Sequence, residues 1–365
     1  MVAQVLVDQA DITQAKLVEA TQPALADGQA RVALESFAMT ANNVTYAATG
    51  FVIGYWKFFP SGVEGQGIVP VWGVARVTES RTDAVAVGTR LYGFWPMAQE
   101  WVITPQDTGE GMILDAAPHR ADLPAVYNRY APLHNASSRD APVRDASAQD
   151  DHLRALLQPL LATSFLLFDW LSDNDWFGAE QIIVGSASSK TGLGLLKFLA
   201  EPAARPYSII GLTSERNRGF VTGLGAADQV VGYDALETIA RRPSVYIDMA
   251  GNADVKFRLH THLGALMRHS AAVGTSHWDK FAQPQNLPGA KPRFFFAPAQ
   301  IQKRRDDWGP GVIERQITQA WKRLASDAGS WLTVRPHAGL HEAVRLHQLI
   351  AAGQADPRDG HVITL

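Results

Sequence analysis

The feature that most constrains the fold is an alternation of short apolar runs with helical segments between residues 181 and 274. The apolar runs are residues 181–184, 208–212, 230–231, 245–248 and 271–274. The segments between them have apolar residues at the spacing of one helical face, as in the helix expected to end near Leu199. Repeated strand–helix units of this kind predict an α/β fold with a doubly wound parallel sheet.

The remaining parts of the chain have the pattern of a β-rich domain. Residues 30–37 alternate between polar and apolar side chains with the period of two expected for a half-buried strand. Residues 134–151 are rich in Ala, Ser, Asp and Arg, which predicts an exposed connection. We therefore predict two domains. Residues 1–150 and 312–365 form the β-rich one, and residues 151–311 form the doubly wound one.

Composition excludes several classes of protein. The formal net charge of −3 is unlike the basic surface that nucleic-acid binding needs. The chain has no cysteine, and therefore no disulfide, no cysteine nucleophile and no zinc site built from cysteine. The N-terminal residues lack the features of a signal peptide, and the apolar run 159–171 is too short to span a bilayer. We expect a soluble cytoplasmic protein that binds neither nucleic acid nor a membrane.

One strand-to-helix turn has the chemistry of a phosphate site. The apolar strand 181–184 runs into small residues, and an apolar helix follows at once. Small residues let backbone amides approach a pyrophosphate, and a helix N-terminus adds partial positive charge. On a G-x-x-G-x-x-G frame, the three positions are Ser186, Ser189 and Gly192. The predicted phosphate-binding residues are Ser186, Ala187, Ser188, Ser189, Lys190 and Thr191.

Two alternatives compete with a dinucleotide site at this turn. An ordinary strand-to-helix turn without a ligand gives a similar pattern, and it stays open. A P-loop is excluded by spacing, because Val184 and Ser189 stand where its glycines are required.

The end of the second apolar strand favours NADP over NAD. Thr213 and Ser214 stand at this strand end, and Arg216 and Arg218 follow. A small polar strand end with arginines nearby suits the 2′-phosphate of NADP. Glu215 is the contrary residue, because a carboxylate turned inward would repel that phosphate. Both arginines also fit a solvated helix surface, and that alternative stays open.

The order of several segments resembles the medium-chain dehydrogenase/reductase superfamily. Residues 60–69 (PSGVEGQGIV) resemble its P-x-G-x-E-x-x-G-x-V segment, and residues 87–93 (VGTRLYG) resemble the V-G-D-R-V-x-G strand that follows. Further matches are residues 211–226, 248–251 and 353–365. Within the superfamily, the chain is most similar to a poorly characterised branch of unknown function. That likeness rests on residues 123–130 (LPAVYNRY), 186–191 (SASSKT) and 295–298 (FFAP).

The resemblance implies a Rossmann-like dinucleotide-binding domain and a GroES-like catalytic domain, with NADP as the cofactor. Zinc-dependent members hold their metal with Cys and His, so this chain is more similar to zinc-independent quinone oxidoreductases and enoyl reductases. His337 and His341 have helical metal-pair spacing, but Pro336 and Gly339 disfavour the helix, and we expect no metal. The implied activity is hydride transfer from NADPH to an activated alkene, quinone or carbonyl of a fairly apolar small molecule. A non-catalytic NADPH-binding sensor or partner subunit is the alternative.

Without zinc, a side chain must hold the oxyanion that develops during hydride transfer. In zinc-free relatives, the loop after the first long strand carries polar groups toward the nicotinamide. Residues 40–46 occupy this loop here, and we predict Tyr46 as hydrogen-bond donor and Asn43 as anchor for substrate or ribose. Local turn formation explains Asn43 equally well. The predicted substrate-binding aromatics are Trp56, Tyr127 and Tyr130, although the two tyrosines also fit one packed helical face.

The last two apolar runs complete the predicted site. Gly251, Gly274 and Thr275 are expected to contact the cofactor, and His277 is a candidate acid. The apolar run from Arg293 to Ala297 corresponds to a strand that pairs across a dimer axis in this superfamily. The resemblance therefore implies a homodimer, with an internal strand as the alternative.

Overall fold

The structure is a computed structural model that describes residues 1–133, 144–274 and 286–365, with only the backbone described at 144–147. The chain divides into two compact units. The first is Met1–Leu156 with Thr333–Leu365, and the second is Leu157–Leu332. Thr275 and His277, like residues 134–143 of the expected connection, lie outside the described residues.

The described strands and helices follow one another in chain order. The strands are β1 (Val2–Asp8), β2 (Ala15–Ala20), β3 (Ala30–Met39), β4 (Gln66–Gly67), β5 (Pro70–Ser80), β6 (Arg90–Pro96), β7 (Glu100–Ile103), β8 (Pro105–Asp107), β9 (Ile113–Asp115), β10 (Arg129–Leu133), β11 (Gln181–Gly185), β12 (Ser208–Thr213), β13 (Gln229–Gly232), β14 (Ser244–Asp248), β15 (Met267–Ala272), β16 (Arg293–Phe294), β17 (Thr333–Ala338) and β18 (Asp359–Thr364). The helices are α1 (Ala41–Ala48), α2 (Arg144–Asp173), α3 (Lys190–Ala200), α4 (Glu215–Gly223), α5 (Ala253–Leu263), α6 (Ala297–Trp308), α7 (Val312–Ala325) and α8 (Leu340–Ala351).

The first unit is β-rich. A nine-stranded sheet runs in the order β17-β18-β3-β5-β6-β10-β9-β8, and β7 pairs with β3. A smaller sheet has the order β2-β1-β4. The first part of β3 alternates between buried and partly buried residues, as its sequence predicts. At the centre of the large sheet, a Cβ on Gly73 would lie 2.2 Å from the carbonyl oxygen of Ser36. Only glycine therefore fits at this point of the antiparallel pairing between β5 and β3.

The second unit is the predicted doubly wound domain. Its six strands are parallel and run in the order β13-β12-β11-β14-β15-β16. Neighbouring residues of β11 belong to separate apolar clusters, with Ile182 and Val184 in one and Ile183 in the other. Side chains of a strand alternate between its faces, so both faces of β11 are covered by apolar residues. This explains why the strands appear in the sequence as short, continuous apolar runs.

Two sequence-based boundaries differ from the structure. Residues 312–332, expected in the β-rich domain, belong to the second unit because Ile313 and Ile317 of α7 pack in its apolar core. The run from Arg293 to Ala297, expected as one strand, forms only the two-residue β16. Ala297 already begins α6, with Pro298 in its first turn. Proline at that position suits a helix start, because its missing N–H would have no intrahelical partner there.

The long helix α2 extends well beyond the apolar run that the sequence showed. Among the described residues it is the one helix that passes a length-and-composition test for a membrane span, over Ala148–Asp173. More than half of the apolar window, 56%, is buried inside the protein. The core helix of a folded domain meets the same test, so the finding is weak evidence for a membrane span.

Candidate functional site

The turn between β11 and α3 has the close backbone packing that a phosphate site needs. Ser186, directly after β11, has a φ of 49°, in the left-handed region. Ser189 caps α3, and its Oγ accepts a hydrogen bond of 3.1 Å from the backbone N–H of Gly192. A Cβ on Gly192 would lie 2.6 Å from the carbonyl oxygen of Ser186. The helix thus begins in contact with the turn, and its first N–H groups face the carboxyl end of the sheet.

Hydrogen bonds tie this turn to the second strand of the sheet. The backbone N–H of Ala187 donates to the carbonyl of Leu212 over 3.1 Å. The Oγ of Ser188 accepts from Thr213 Oγ1 and from Asn217 Nδ2, each over 3.1 Å. The structure therefore brings together the predicted residues Ser188 and Thr213. Asn217 was missed, because only the folded turn shows that the first turn of α4 reaches Ser188.

Tyr233 is another residue that the sequence did not single out. It follows β13 and hydrogen-bonds to Ser186, and burial raises the pKa of Tyr233 to about 12. The hydroxyl is therefore protonated at neutral pH. It lies against the one non-glycine residue of the turn that has a left-handed backbone.

The residues expected to select NADP lie around the start of α4. Ser214 is its N-cap, and Arg216 and Arg218 are both exposed. Glu215, the residue that argues against binding of a 2′-phosphate, forms an ion pair of 3.1 Å with Arg218. An arginine therefore partly neutralises its negative charge. Lys190 and Thr191 open α3, and the carbonyl of Thr191 accepts a hydrogen bond of 2.7 Å from Ser164 of α2.

The third segment that we predicted to contact the cofactor is organised by Asp248 at the end of β14. Its carboxylate accepts a hydrogen bond of 2.8 Å from the backbone N–H of Gly251, whose φ of 74° favours glycine. Its backbone carbonyl accepts from the N–H groups of Val273 and Gly274. Lys256 of α5 lies 3.4 Å from the carboxylate, and both side chains are buried. The predicted residues Gly251 and Gly274 are thus brought together at Asp248.

In the first unit, the predicted loop 40–46 forms a helix start. Thr40 caps α1, and Asn43 completes the capping box by accepting a hydrogen bond of 2.7 Å from the backbone N–H of Thr40. The amide of Asn43 also donates to the carbonyl of Pro70 over 2.9 Å, and the side chain is buried. These contacts support the local structural role of Asn43 over the predicted role as a substrate or ribose anchor.

The neighbouring residue Asn42, and not Asn43, is hydrogen-bonded to Tyr46. Its Nδ2 donates to the Tyr46 hydroxyl over 2.7 Å, and Trp72 Nε1 donates to the same oxygen over 3.0 Å. Residues four apart on a helix share a face, so the spacing of 42 and 46 was a signal that sequence reasoning passed over. Burial raises the pKa of the Tyr46 hydroxyl well above its ordinary value.

Tyr46 belongs to an aromatic cluster in the first unit. We define it by six residues, namely Tyr46, Tyr55, Phe58, Trp72, Phe94 and Tyr127. The hydroxyls of Tyr55 and Tyr127 lie 3.0 Å apart, and the ring centroids of Phe94 and Tyr127 are separated by 4.6 Å. The predicted residues Tyr46 and Tyr127 therefore belong to the same aromatic cluster. Its partly exposed members are Trp72 and Tyr127.

The other two predicted aromatics pack in the interior. Tyr130 is fully buried, stacks on Trp95 at 4.0 Å and accepts a hydrogen bond of 3.1 Å from Arg120. Trp56 is also buried, against Gly50 and Gly67, where an added Cβ would overlap its ring. Both are better explained as core residues than as substrate contacts.

The two histidines considered as a metal pair both lie near Glu342, with His337 Nδ1 at 3.5 Å and His341 Nε2 at 3.8 Å from its carboxylate. His337 Nε2 lies 3.1 Å from His361 Nδ1, on the neighbouring strand β18. Across the described ranges, no group of three or more His, Cys, Asp or Glu side chains has an arrangement that would hold a metal ion.

Solved structures of other proteins have a similar fold over the whole chain. CurA from Vibrio vulnificus in complex with NADPH superposes with a TM-score of 0.59 at 13% identity, covering 99% of this chain and 98% of that one. Escherichia coli quinone oxidoreductase complexed with NADPH gives 0.59 at 14% identity, covering all of both chains. The quinone oxidoreductase from Coxiella burnetii gives 0.54 at 16% identity, covering 100% of this chain and 99% of that one.

Sequence comparison identifies the family to which the chain belongs. The chain belongs to the family described as "Protein of unknown function (DUF2855)", whose sequence model matches residues 37–356. No curated protein sequence matches the chain. The resemblance to a poorly characterised branch is thereby confirmed.

Proposed function

We propose that this protein is an NADPH-dependent reductase that transfers hydride, without a metal, to an activated alkene, quinone or carbonyl of a fairly apolar small molecule. The observation that carries the proposal is the serine-rich turn at the carboxyl end of β11. Its backbone lies so close to α3 that Gly192 has no room for a side chain. Such a turn sets a helix N-terminus at the carboxyl end of a parallel strand, which is the position that pyrophosphate recognition requires.

The residues around this turn fit a dinucleotide. Ser186 to Thr191 would hold the pyrophosphate, and the turn at Gly251 and Gly274 lies at the strand end where the nicotinamide half is expected. Ser214, Arg216 and Arg218, at the start of α4, would recognise a 2′-phosphate. Thr213 would act through Ser188, to which its hydroxyl is bonded. NADPH, when bound, supplies the hydride, and structures of two similar proteins were determined with it.

The aromatic cluster of the first unit supplies an acceptor site of the required character. Its partly exposed rings, those of Trp72 and Tyr127, would offer apolar surface to a flat substrate, and the Tyr46 hydroxyl is a hydrogen-bond donor that burial keeps protonated. A donor held in a site of low polarity stabilises negative charge that develops on a substrate oxygen. Tyr127, at the partly exposed side of the cluster, is the proposed substrate contact.

The direct test measures binding and turnover separately. Calorimetry is expected to give a lower Kd for NADPH than for NADH, and Arg216→Ala is expected to remove much of this difference. Loss of NADPH absorbance is then followed with a panel of enones, quinones and ketones. Equal affinity for the two cofactors in the wild-type protein would contradict the 2′-phosphate role.

The serine-rich turn also favours a second candidate, a non-catalytic NADPH-binding sensor or partner subunit. Ser186 and Ser189 carry side chains where the glycine frame has none, and Tyr233 is hydrogen-bonded to Ser186. These groups crowd the site and would slow cofactor exchange. Tight NADPH binding with no oxidation by any acceptor of the panel would identify this function.

A homodimer formed through β16 is part of the proposal. β16 is the outermost described strand of the parallel sheet. Phe294 in β16 and Phe296 just after it are 58% and 39% exposed. Their ring centroids lie 6.3 Å apart, so they form one small apolar surface at the sheet edge. Sedimentation is expected to give a dimer for the wild-type protein and a monomer for Phe294→Ser. Substitution of the exposed Phe51 by Ser is the matched control.

A further inference from the structure

The hydroxyl of Tyr46 is hydrogen-bonded to two side chains that both act as donors. The indole N–H of Trp72 lies 3.0 Å from the hydroxyl oxygen, and an indole nitrogen can only donate. The amide nitrogen of Asn42 lies 2.7 Å from the same oxygen. A phenolic hydroxyl accepts hydrogen bonds through its oxygen and donates one through its proton. Both neighbours use the oxygen as an acceptor, so the hydroxyl's own proton is left for a third partner.

Both donors are held in place by other contacts. Trp72 stacks on Tyr92 with ring centroids 5.8 Å apart, and it packs against Phe94 at 5.2 Å. Asn42 lies in the first turn of α1, and its backbone N–H is bonded to the side chain of the capping residue Thr40. The two donors therefore approach the Tyr46 oxygen from two elements, β5 and α1. In the residues that the structure describes, no acceptor receives the Tyr46 proton.

We propose that Asn42 and Trp72 are positioning residues that turn the Tyr46 proton toward bound substrate, so that the site takes substrates with a carbonyl oxygen at the reacting group. This inference rests on the proposed reductase function. It narrows the substrate class to conjugated enones, quinones and ketones, and it excludes alkenes without a conjugated carbonyl.

The electron balance explains why the carbonyl is needed. When hydride from NADPH reaches the electrophilic carbon, a π-electron pair moves onto the substrate oxygen. The Tyr46 O–H then donates a hydrogen bond to this enolate or alkoxide. A proton from water completes the product, and NADPH leaves as NADP⁺. A hydroxyl whose proton pointed at a protein acceptor would give the oxyanion no such bond.

Asn42→Asp tests the orientation with almost no change in size. A carboxylate only accepts hydrogen bonds, so it would draw the Tyr46 proton to itself. We expect kcat with 9,10-phenanthrenequinone to fall about 10- to 100-fold, toward the value of Tyr46→Phe, while KM and the Kd for NADPH change less than about 3-fold. Asn42→Gln, which keeps the donor, should retain more of the rate than Asn42→Asp.

Trp72→Phe tests the second donor, because it keeps an aromatic ring and removes the N–H. We expect an intermediate loss of kcat, about 3- to 10-fold, again with little change in NADPH affinity. Ultraviolet resonance Raman spectra give a readout independent of turnover. The tyrosine ring doublet, taken as a difference against Tyr46→Phe, should report an accepting hydroxyl in the wild-type protein and a donating one in Asn42→Asp.

The two proposals fail in different ways. If the wild-type protein binds NADPH and reduces no acceptor, the reductase function is wrong, and the Raman difference still tests the orientation of the proton. If the protein is active but Asn42→Asp keeps the wild-type kcat, or its doublet is unchanged, the positioning role is overturned. Equal rates with an enone and with an alkene that lacks a carbonyl would overturn the substrate class.

Discussion

Ser188 Oγ and Thr213 Oγ1 lie 3.1 Å apart, so a hydroxyl of the serine-rich turn is bonded to the last residue of β12. The same Ser188 oxygen accepts from Asn217 of α4. The turn proposed to hold pyrophosphate and the segment proposed to hold the 2′-phosphate are therefore connected through one side chain. This connection predicts that a change at Ser188 alters affinity for cofactor at both ends.

Ser188→Ala is expected to weaken NADPH binding by about 3- to 10-fold, because it leaves Thr213 and Asn217 without this common partner. The ratio of the Kd values for NADH and NADPH should also fall, since Asn217 lies in the first turn of α4. Calorimetry with both cofactors measures this. Ser208→Ala is the matched control, because Ser208 begins the same strand at its other end. A variant that binds both cofactors with wild-type affinity would argue against the connection.

The sequence was sufficient to predict the elements of this site but not all of its contacts. The apolar runs after residue 181 indicated the parallel sheet, because strands buried on both faces leave a continuous signal. They also placed Ser188 and Thr213 at neighbouring strand ends. Asn217 carried no such signal. Its contact depends on how α4 leaves β12, which is a tertiary property.

The adjacent pair Asn42 and Asn43 shows a different limit. Residue type and loop position do not distinguish the two asparagines. From the sequence, we predict Asn43 as the anchor for substrate or ribose. The helix that starts at Ala41 separates them by about 100° around its axis, so one caps the helix and the other faces Tyr46. Once the helix is known, the i, i+4 spacing identifies Asn42. Tyr130, predicted as a substrate contact because it lies in an aromatic run beside a polar segment, instead has its ring buried against Trp95.

Gly192→Ala is expected to disrupt the serine-rich turn. The new Cβ would lie 2.6 Å from the Ser186 carbonyl oxygen and 3.2 Å from Ala187 Cα, so the backbone must shift. NADPH affinity should fall at least about 10-fold, and unfolding free energy by about 1–3 kcal/mol. Gly219→Ala in α4 is the control, because a Cβ added at Gly219 would have no neighbouring atom within 4 Å. That substitution should be neutral or slightly stabilising. Equal effects of the two variants would contradict the close-packing role of Gly192.

Asp115→Ala is expected to destabilise the first unit strongly. Asp115 and Arg120 are buried, with their charged groups 3.2 Å apart, and Asp115 also accepts a hydrogen bond from the backbone N–H of Thr104. Removing the carboxylate leaves a buried guanidinium uncompensated, which costs about 3–5 kcal/mol. Urea denaturation, followed by a signal from the β-rich first unit, measures this loss of unfolding free energy. Glu110→Ala, which removes the exposed partner of Arg129, should cost less than about 1 kcal/mol. If Asp115→Ala and Glu110→Ala lower the unfolding free energy by similar amounts, the buried ion pair is no more important to stability than the exposed one.

The stability of the second unit is expected to fall in mild acid because of His269. Burial, and secondarily the charge of Arg293, lower the pKa of His269 to about 4. In the unfolded chain the pKa is about 6.5, so below this pH the unfolded state binds the proton more strongly than the folded state. The stabilisation is therefore complete above about pH 6.5, and it is lost as the pH falls toward 4, by at most about 3 kcal/mol.

His269→Phe removes the proton-binding group and retains a flat ring. The imidazole stacks on Phe177 at 4.1 Å and meets the edge of Trp170 at 5.1 Å, so phenylalanine can occupy the same place. Urea denaturation at about pH 7.5 and about pH 5 gives the change in unfolding free energy for each protein. We expect a smaller change for His269→Phe than for the wild-type protein, and an unaltered change for His341→Gln on the exposed start of α8. If His269→Phe loses as much stability as the wild-type protein between these pH values, protonation of His269 is not the cause of the acid sensitivity.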